Sequence, residues 1–176
     1  MTSITFYSLY DYNCGNIFAN TLNLDNFSTL EELDAALHDW LEELTENRND
    51  GVTREEWILA DCEDVPDQYI NTYGINGEYF TYRDTIEELS NYHDDAENIL
   101  NAWIAYGYEL NLDEIKDAYI GHFYSIRSFA EEYLWEIMDL SSLPQHLQFY
   151  IDLERLAKDV LINDCWESNG YYFNRI

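Results

Sequence analysis

Alternating and helical patterns of apolar residues organise the first 70 residues. Residues 4–10 alternate loosely, residues 13–16 form a turn signal, and residues 17–24 are again extended, which predicts two strands. Ser28 and Glu31 have the spacing of a capping box, which predicts a helix to about Glu46. The apolar stripe of that helix consists of Leu30, Leu33, Leu37, Leu41 and Leu44. With a third strand over residues 57–60, the pattern predicts a ββαβ-like unit over residues 1–70.

The rest of the chain is predicted to be helical first and mixed afterwards. Thr85 and Glu88 again have capping-box spacing, and one apolar face extends to Trp103. Gly107 interrupts this pattern, and a short helix is predicted over residues 113–117. Residues 118–176 then predict, in order, a strand at 118–123, helices after Ser125, Pro144 and Asp152, and a strand at 171–173. The fold class is therefore α+β, with a helical middle domain over 71–117 and a mixed C-terminal domain over 118–176.

Composition adds a large negative charge to this picture. The 176 residues include 36 Asp and Glu against 8 Lys and Arg, for a net charge of -28. Because 47% of the residues are apolar and 16% aromatic, a disordered acidic tail is excluded. No signal peptide or long apolar run is present, so a cytoplasmic protein without a membrane span is expected. The three cysteines are far apart and are predicted to be reduced.

The charge is graded along the chain. Residues 1–70 carry a net charge of -14, residues 71–118 carry -9, and residues 119–176 carry -5. Two copies of the chain would therefore repel each other least through their C-terminal thirds.

Metal binding and catalysis are not favoured by the motifs. The acidic segment 61–67 lacks the glycine-centred frame of a calcium loop, and the four histidines lack ligand spacing. No nucleotide-binding glycine motif, serine-nucleophile motif or cysteine–histidine arrangement is present. No enzyme activity, metal or cofactor is expected.

Imitation of nucleic acid accounts better for the charge, with a solvated acidic surface as the plainer alternative. Seven acids lie within residues 30–46, about one per 3.6 Å of helix, and each DNA strand carries one charge per roughly 3.4 Å. Outward carboxylates are therefore the predicted partner-binding groups, acting as phosphate surrogates toward Lys and Arg of the partner. They are Glu32, Asp39, Glu42, Glu43, Glu46, Asp61, Glu63, Asp64, Asp67, Glu87, Asp94 and Asp95.

Several short segments together resemble the ArdA-type antirestriction family. Residues 12–17 resemble its YNxG turn, and residues 57–66 are similar to its acidic stretch before a proline. The C-terminal end is the most specific part, since residues 143–144, 150–152, 157–159 and 170–173 resemble the LP…YxDYxxxAxDL…GxxF signature. The chain departs from the family pattern at Ala19, Asn20, Asp64 and Leu153, and Asp64 stands where the family has glycine.

The resemblance implies three small domains in an elongated chain and a homodimer joined through the C-terminal domains. It also implies inhibition of type I restriction-modification enzymes, by occupation of the DNA groove of their methyltransferase and specificity core. Direct binding of nucleic acid is not expected. Trp135 lies opposite the apolar stripe of its predicted helix, so it is a candidate dimer-interface residue, with a second buried face as the alternative. An acidic adaptor that binds a basic protein without entering a DNA groove is the alternative function.

Overall fold

The computed structural model describes residues 2–176, which form a mixed α+β fold with three small antiparallel sheets. Contacts divide the chain into two compact units, Met1–Asp84 and Thr85–Ile176. The predicted α+β class is confirmed. The finer division into three domains in line stays a prediction.

The first unit packs one long helix against a three-stranded sheet. Strands β1 (Ser3–Ser8), β2 (Ala19–Asn23) and β3 (Trp57–Glu63) pair antiparallel in the order β2-β1-β3. Helix α1 (Leu9–Asn13) follows β1, and helix α2 (Leu30–Arg48) follows β2. Strands β4 (Ile70–Asn71) and β5 (Gly74–Ile75) form a small hairpin before helix α3 (Glu78–Leu89). The predicted ββαβ order is present, with α1 and the hairpin added to it.

The core of this unit consists of apolar residues that recur every second position in β1 and every three or four positions in α2. Alternate residues of β1 are buried, and the leucines of α2 that lie three or four apart are buried as well. Fully buried members are Ile4, Phe6, Leu33, Leu37 and Leu41. Gly74 has φ 143°, and a Cβ there would lie 3.2 Å from the Phe6 ring, so this turn favours glycine.

The second unit combines several helices with the third sheet. Its first half contains helices α4 (Ala96–Tyr106) and α5 (Leu112–Ala118), then strand β6 (Tyr119–His122). Helix α6 (Ile126–Phe129), a π-helical turn (Ala130–Leu134) and helix α7 (Trp135–Ile137) are continuous in sequence. Helices α8 (Gln145–Gln148) and α9 (Leu153–Asn163) precede strands β7 (Cys165–Ser168) and β8 (Tyr171–Asn174). The sheet order is β6-β8-β7.

Aromatic rings fill the core of the second unit. Trp166 stacks on Phe173 with ring centroids 4.1 Å apart, and Trp103 packs against both. Phe129 stacks on Tyr172 at 4.4 Å and joins α6 to the sheet. Aromatic pairs of this kind stabilise a core beyond the area that they bury.

Three local predictions were wrong. The strand predicted to reach Tyr10 ends at Ser8, because Ser8 caps α1 and its hydroxyl donates to Asp11 at 2.6 Å. The first capping box lies one residue later than predicted: Thr29 accepts from the Glu32 N–H, and Glu32 Oε2 accepts from the Ser28 N–H. Thr85 lies inside α3 instead of starting a helix, and the segment between α3 and α4 is not helical.

The π-helical turn changes which side chains face the core after Ser125. The predicted stripe included Ile137, but Ile137 is 64% exposed, and Leu134 is buried in its place. A π-helical turn inserts an extra residue, so positions after it rotate relative to an uninterrupted helix. Trp135, predicted to be exposed, is half-buried.

Candidate partner-binding surface

Helix α2 presents an uninterrupted acidic face to solvent. Its buried leucines fix the orientation of the helix, so the acids between them project outward. Asp39, Glu42, Glu43 and Glu46 are exposed, and within residues 2–176 none of these four side chains forms a hydrogen bond or ion pair. Nothing within the described chain neutralises them.

Two of the three acids near the start of α2, Glu32 and Asp34, have local roles. Glu32 is exposed, but one carboxylate oxygen accepts the Ser28 N–H at 2.7 Å and so helps to cap the helix. Asp34 is half-buried, and this burial raises the pKa of its carboxyl. Asp34 is therefore a poorer phosphate surrogate than the four acids beyond it.

A second acidic group lies along and after β3. Asp61 and Glu63 lie two residues apart on this strand and are exposed, opposite Thr5 and Ser3 of β1. A register shift between Thr5 and Phe6 leaves Ala60 without a partner in β1. Asp64 and Asp67 follow and are also exposed. Strand β3 is thus longer than predicted and carries part of the acidic segment.

The three acids predicted in the second unit differ from one another. Glu87 and Asp94 are exposed, whereas Asp95 is half-buried before α4. Burial and a hydrogen bond to Asp95 raise the pKa of the Tyr171 hydroxyl. Asp95 therefore contacts the body of its own unit, and its carboxylate is less available to a partner.

Most basic side chains are already engaged with acids of their own unit. Arg54 is buried and contacts Asp11 through Nε at 2.6 Å and Nη2 at 3.0 Å, and Nη2 also contacts Asp50 at 2.9 Å. These bonds to Arg54 lower the pKa of Asp11 and lower that of Asp50 to about 2. Arg83, Lys116 and Arg127 pair with Asp84, Glu88 and Glu131. These basic side chains are therefore paired with acids outside the acidic face of α2.

Two further exposed acids, Glu55 and Glu56, were not among the predicted partner-binding residues. Glu55 and Glu56 lie between α2 and β3, and they line a cavity of 300 Å³ with Leu9, Trp57 and Tyr73. Glu55 also lines a 600 Å³ groove that contains Glu42 and Glu46 of α2. The sequence signal was the Glu-Glu-Trp order itself, since two acids directly precede an aromatic strand residue.

Residues 7–173 match the family described as Antirestriction protein (ArdA). The chain belongs to the ArdA family. Members of the ArdA family are non-enzymatic antirestriction proteins that inhibit type I restriction-modification enzymes as mimics of DNA. The predicted family and function are therefore confirmed, and the family favours antirestriction over the acidic-adaptor alternative. No curated protein matches the chain.

One acid of the candidate surface, Asp64, has a backbone conformation that favours glycine. The resemblance described above implies glycine at the position of Asp64, and the φ of Asp64 is 60°. Glycine reaches positive φ without a steric cost, and Asp is one of the few other residues that tolerate it. Asp64 therefore places a carboxylate at a position whose backbone conformation suits glycine.

Within residues 2–176, no group of three or more His, Cys, Asp or Glu residues is placed to hold a metal ion. Over the same residues, no helix has both the length and the apolar character that a bilayer span requires.

Proposed function

We propose that the acidic face of α2 and the acids of β3 take the positions of DNA phosphates in the groove of the type I methyltransferase and specificity core. In this proposal the target, a DNA-binding enzyme, is met in the cytoplasm. The main support is that four acids of one helix are exposed and form no hydrogen bond or ion pair within residues 2–176: Asp39, Glu42, Glu43 and Glu46.

Fixed spacing supports this assignment. Helix α2 has 19 residues and is about 28 Å long, and the four acids of its exposed face lie within residues 39–46, about one carboxylate per 3 Å of axis. Each DNA strand carries one phosphate per roughly 3.4 Å. Because the leucine stripe anchors the helix, these charges are ordered before binding, which reduces the entropy lost when the complex forms.

The whole first unit contributes to the same field. Residues 1–84 contain 18 acids and 3 bases, for a net charge of -15. A strongly negative unit accelerates association with a positively charged groove, and this effect weakens as salt increases. Binding energy is then distributed over many carboxylates.

A competition titration tests the proposal. Purified methyltransferase and specificity core is loaded with labelled cognate duplex DNA, and the protein is added at two salt concentrations. We expect displacement at near-stoichiometric amounts, weaker at the higher salt. Failure to displace DNA at large excess would remove the groove as the binding site.

A homodimer through the C-terminal part belongs to the same proposal. Residues 140–151 contain no Asp, Glu, Lys or Arg, and they expose apolar side chains. Phe149 is 81% exposed and Tyr150 is 85% exposed, and both line a 530 Å³ cavity with Gln145 and His146. An uncharged apolar segment on an otherwise acidic chain suits a second copy of the same chain, because repulsion is least there. The half-buried Trp135, which lies just before this uncharged segment in the sequence, remains a candidate dimer-interface residue.

A further inference from the structure

A small cavity in the first unit combines aromatic walls with two carboxylates. Leu9, Trp57 and Tyr73 form its apolar part, and Glu55 and Glu56 complete it, around a volume of 300 Å³. Neither carboxylate forms a hydrogen bond or ion pair with another residue in the range 2–176. Tyr73 is 66% exposed, so its ring is open to an incoming group.

The walls of this cavity are held in place by the backbone. The Leu9 N–H donates to the Glu56 carbonyl at 3.0 Å, and the Trp57 indole N–H donates to the Tyr73 carbonyl at 2.8 Å. Trp57 also packs edge-on against Phe6 and His38. The Trp57 ring and the backbone that carries Glu56 and Tyr73 are therefore fixed before any partner arrives.

Three chemical features of the cavity select the same ligand group. Carboxylates favour a cation, aromatic faces favour a cation that is flat and weakly hydrated, and the 300 Å³ volume suits one side chain. A guanidinium meets all three conditions, because it stacks on a ring and donates two parallel N–H bonds to a carboxylate. A lysine ammonium is compact and strongly hydrated, so it fits less well.

We propose that this cavity binds an arginine side chain of the restriction-modification enzyme and is a hot spot of the complex. The inference rests on the proposed function, since Glu55 joins the cavity to the groove that contains Glu42 and Glu46. It adds a localised contact to the distributed charge. Trp, Tyr and Arg are enriched among the few residues that dominate binding energy at interfaces.

The deciding experiment compares two matched double variants in the DNA-competition titration. Tyr73→Ala with Glu56→Gln changes the cavity, whereas Tyr124→Ala with Glu97→Gln makes the same changes at exposed positions of the second unit. We expect the cavity variant to bind about tenfold more weakly and the control to stay within about twofold of the wild type. Part of the loss should persist at high salt, because stacking is screened less than charge.

Equal affinity of the cavity variant and the wild type would overturn the arginine site while leaving DNA mimicry intact. A wild type that fails to displace DNA would instead overturn the proposed function, and the cavity is then judged by direct titration. The probe is N-acetyl-arginine amide, with N-acetyl-lysine amide as control, followed by the NMR signal of the Trp57 indole N–H. A shift with arginine that exceeds the shift with lysine supports the site, and equal or absent shifts contradict it.

Discussion

Among single residues, Arg54 is the clearest case of a charged side chain that stabilises the fold. Its side chain is 1% exposed, and it contacts Asp11, which is 2% exposed, and the more accessible Asp50. Removing one member of a buried ion pair leaves the other charge without compensation, which typically costs about 3–5 kcal/mol. This cost exceeds the value of a surface pair, which is about 0–1 kcal/mol.

We therefore expect Arg54→Met to lower the free energy of unfolding by about 3 kcal/mol, because Asp11 would stay buried and charged. Urea unfolding followed by tryptophan fluorescence measures this change. Arg155→Met is the control, since Arg155 is exposed and its side chain has no ion pair within the described chain. An Arg54→Met protein as stable as the control would show that the buried network contributes little.

Asp50 gives a pH prediction with a definite sign. Hydrogen bonds from Arg54 lower the pKa of its carboxyl to about 2, well below the usual value of 3.8. A lowered pKa in the folded state means stabilisation that is fully present above about pH 4 and is lost as the pH falls through about 2. Protonation of the many exposed acids acts in the opposite direction, because it relieves self-repulsion.

For this reason the test compares wild type with Asp50→Asn across pH. The variant should be less stable than the wild type at pH 7, and the difference should shrink between pH 4 and pH 2. Urea unfolding at pH 7, 4 and 2.5 measures the difference directly, so that the shared effect of the surface acids cancels. A difference that is constant over this range would contradict the role of the Asp50 carboxylate.

At the scale of elements, the helices and strands that were predicted correctly are those with a local sequence pattern of their own. The leucine spacing of α2, Asp152 before α9 and the aromatic run of β8 each identify an element without reference to the rest of the fold. The orientation of the acids on α2 follows from the same spacing. The acidic face of α2 could thus be predicted from periodicity, whereas the acids along β3 could not.

Elements fixed by long-range contacts were missed. Strand β7 follows directly after α9, and its Trp166 packs against the ring of Trp103, which lies far earlier in the chain, in α4. The end of α3 could not be predicted from the sequence either, because no glycine marks it. In the structure, the Ser90 hydroxyl after the last turn of α3 donates to the Ile86 carbonyl. The cavity beside Trp57 depends on the distant Leu9 and Tyr73, so no local pattern could reveal it.

Helix α2 offers a sharp test of distributed phosphate mimicry. Changing any one of Asp39, Glu42, Glu43 or Glu46 to Ala should weaken DNA competition only slightly, because the remaining charges keep the field. Changing all four to Lys should abolish inhibition. The DNA-competition titration measures both, with circular dichroism to verify that the helix is retained.

The matched control reverses four exposed acids of the second unit to Lys: Glu132, Glu136, Asp159 and Asp164. Both quadruple variants have the same net charge, so any difference between them reports the position of the charges. If the control lost inhibition equally, net charge alone would explain binding. If a single Ala variant of α2 abolished inhibition while remaining folded, the distributed picture would be wrong.

For the whole molecule, net charge opposes self-association and favours binding to a basic groove. Each copy carries -28, so two copies repel each other until salt screens them. The proposed contact through Phe149 and Tyr150 is apolar, and apolar contacts are not weakened by moderate salt. In the proposed complex, binding to the target relies on attraction between opposite charges and should weaken with salt.

Self-association and target binding should therefore respond to salt in opposite directions. Light scattering after size-exclusion chromatography should give twice the 20.9 kDa chain mass, with the dimer population increasing from low to moderate salt. Phe149→Ser with Tyr150→Ser should shift the mass toward one chain, because it removes the two most exposed rings of the uncharged segment. Ile17→Ser with Tyr12→Ser is the control, since it removes exposed apolar side chains from the first unit. A dimer that survives the first pair of changes, or dissociates equally with the second, would place the interface elsewhere.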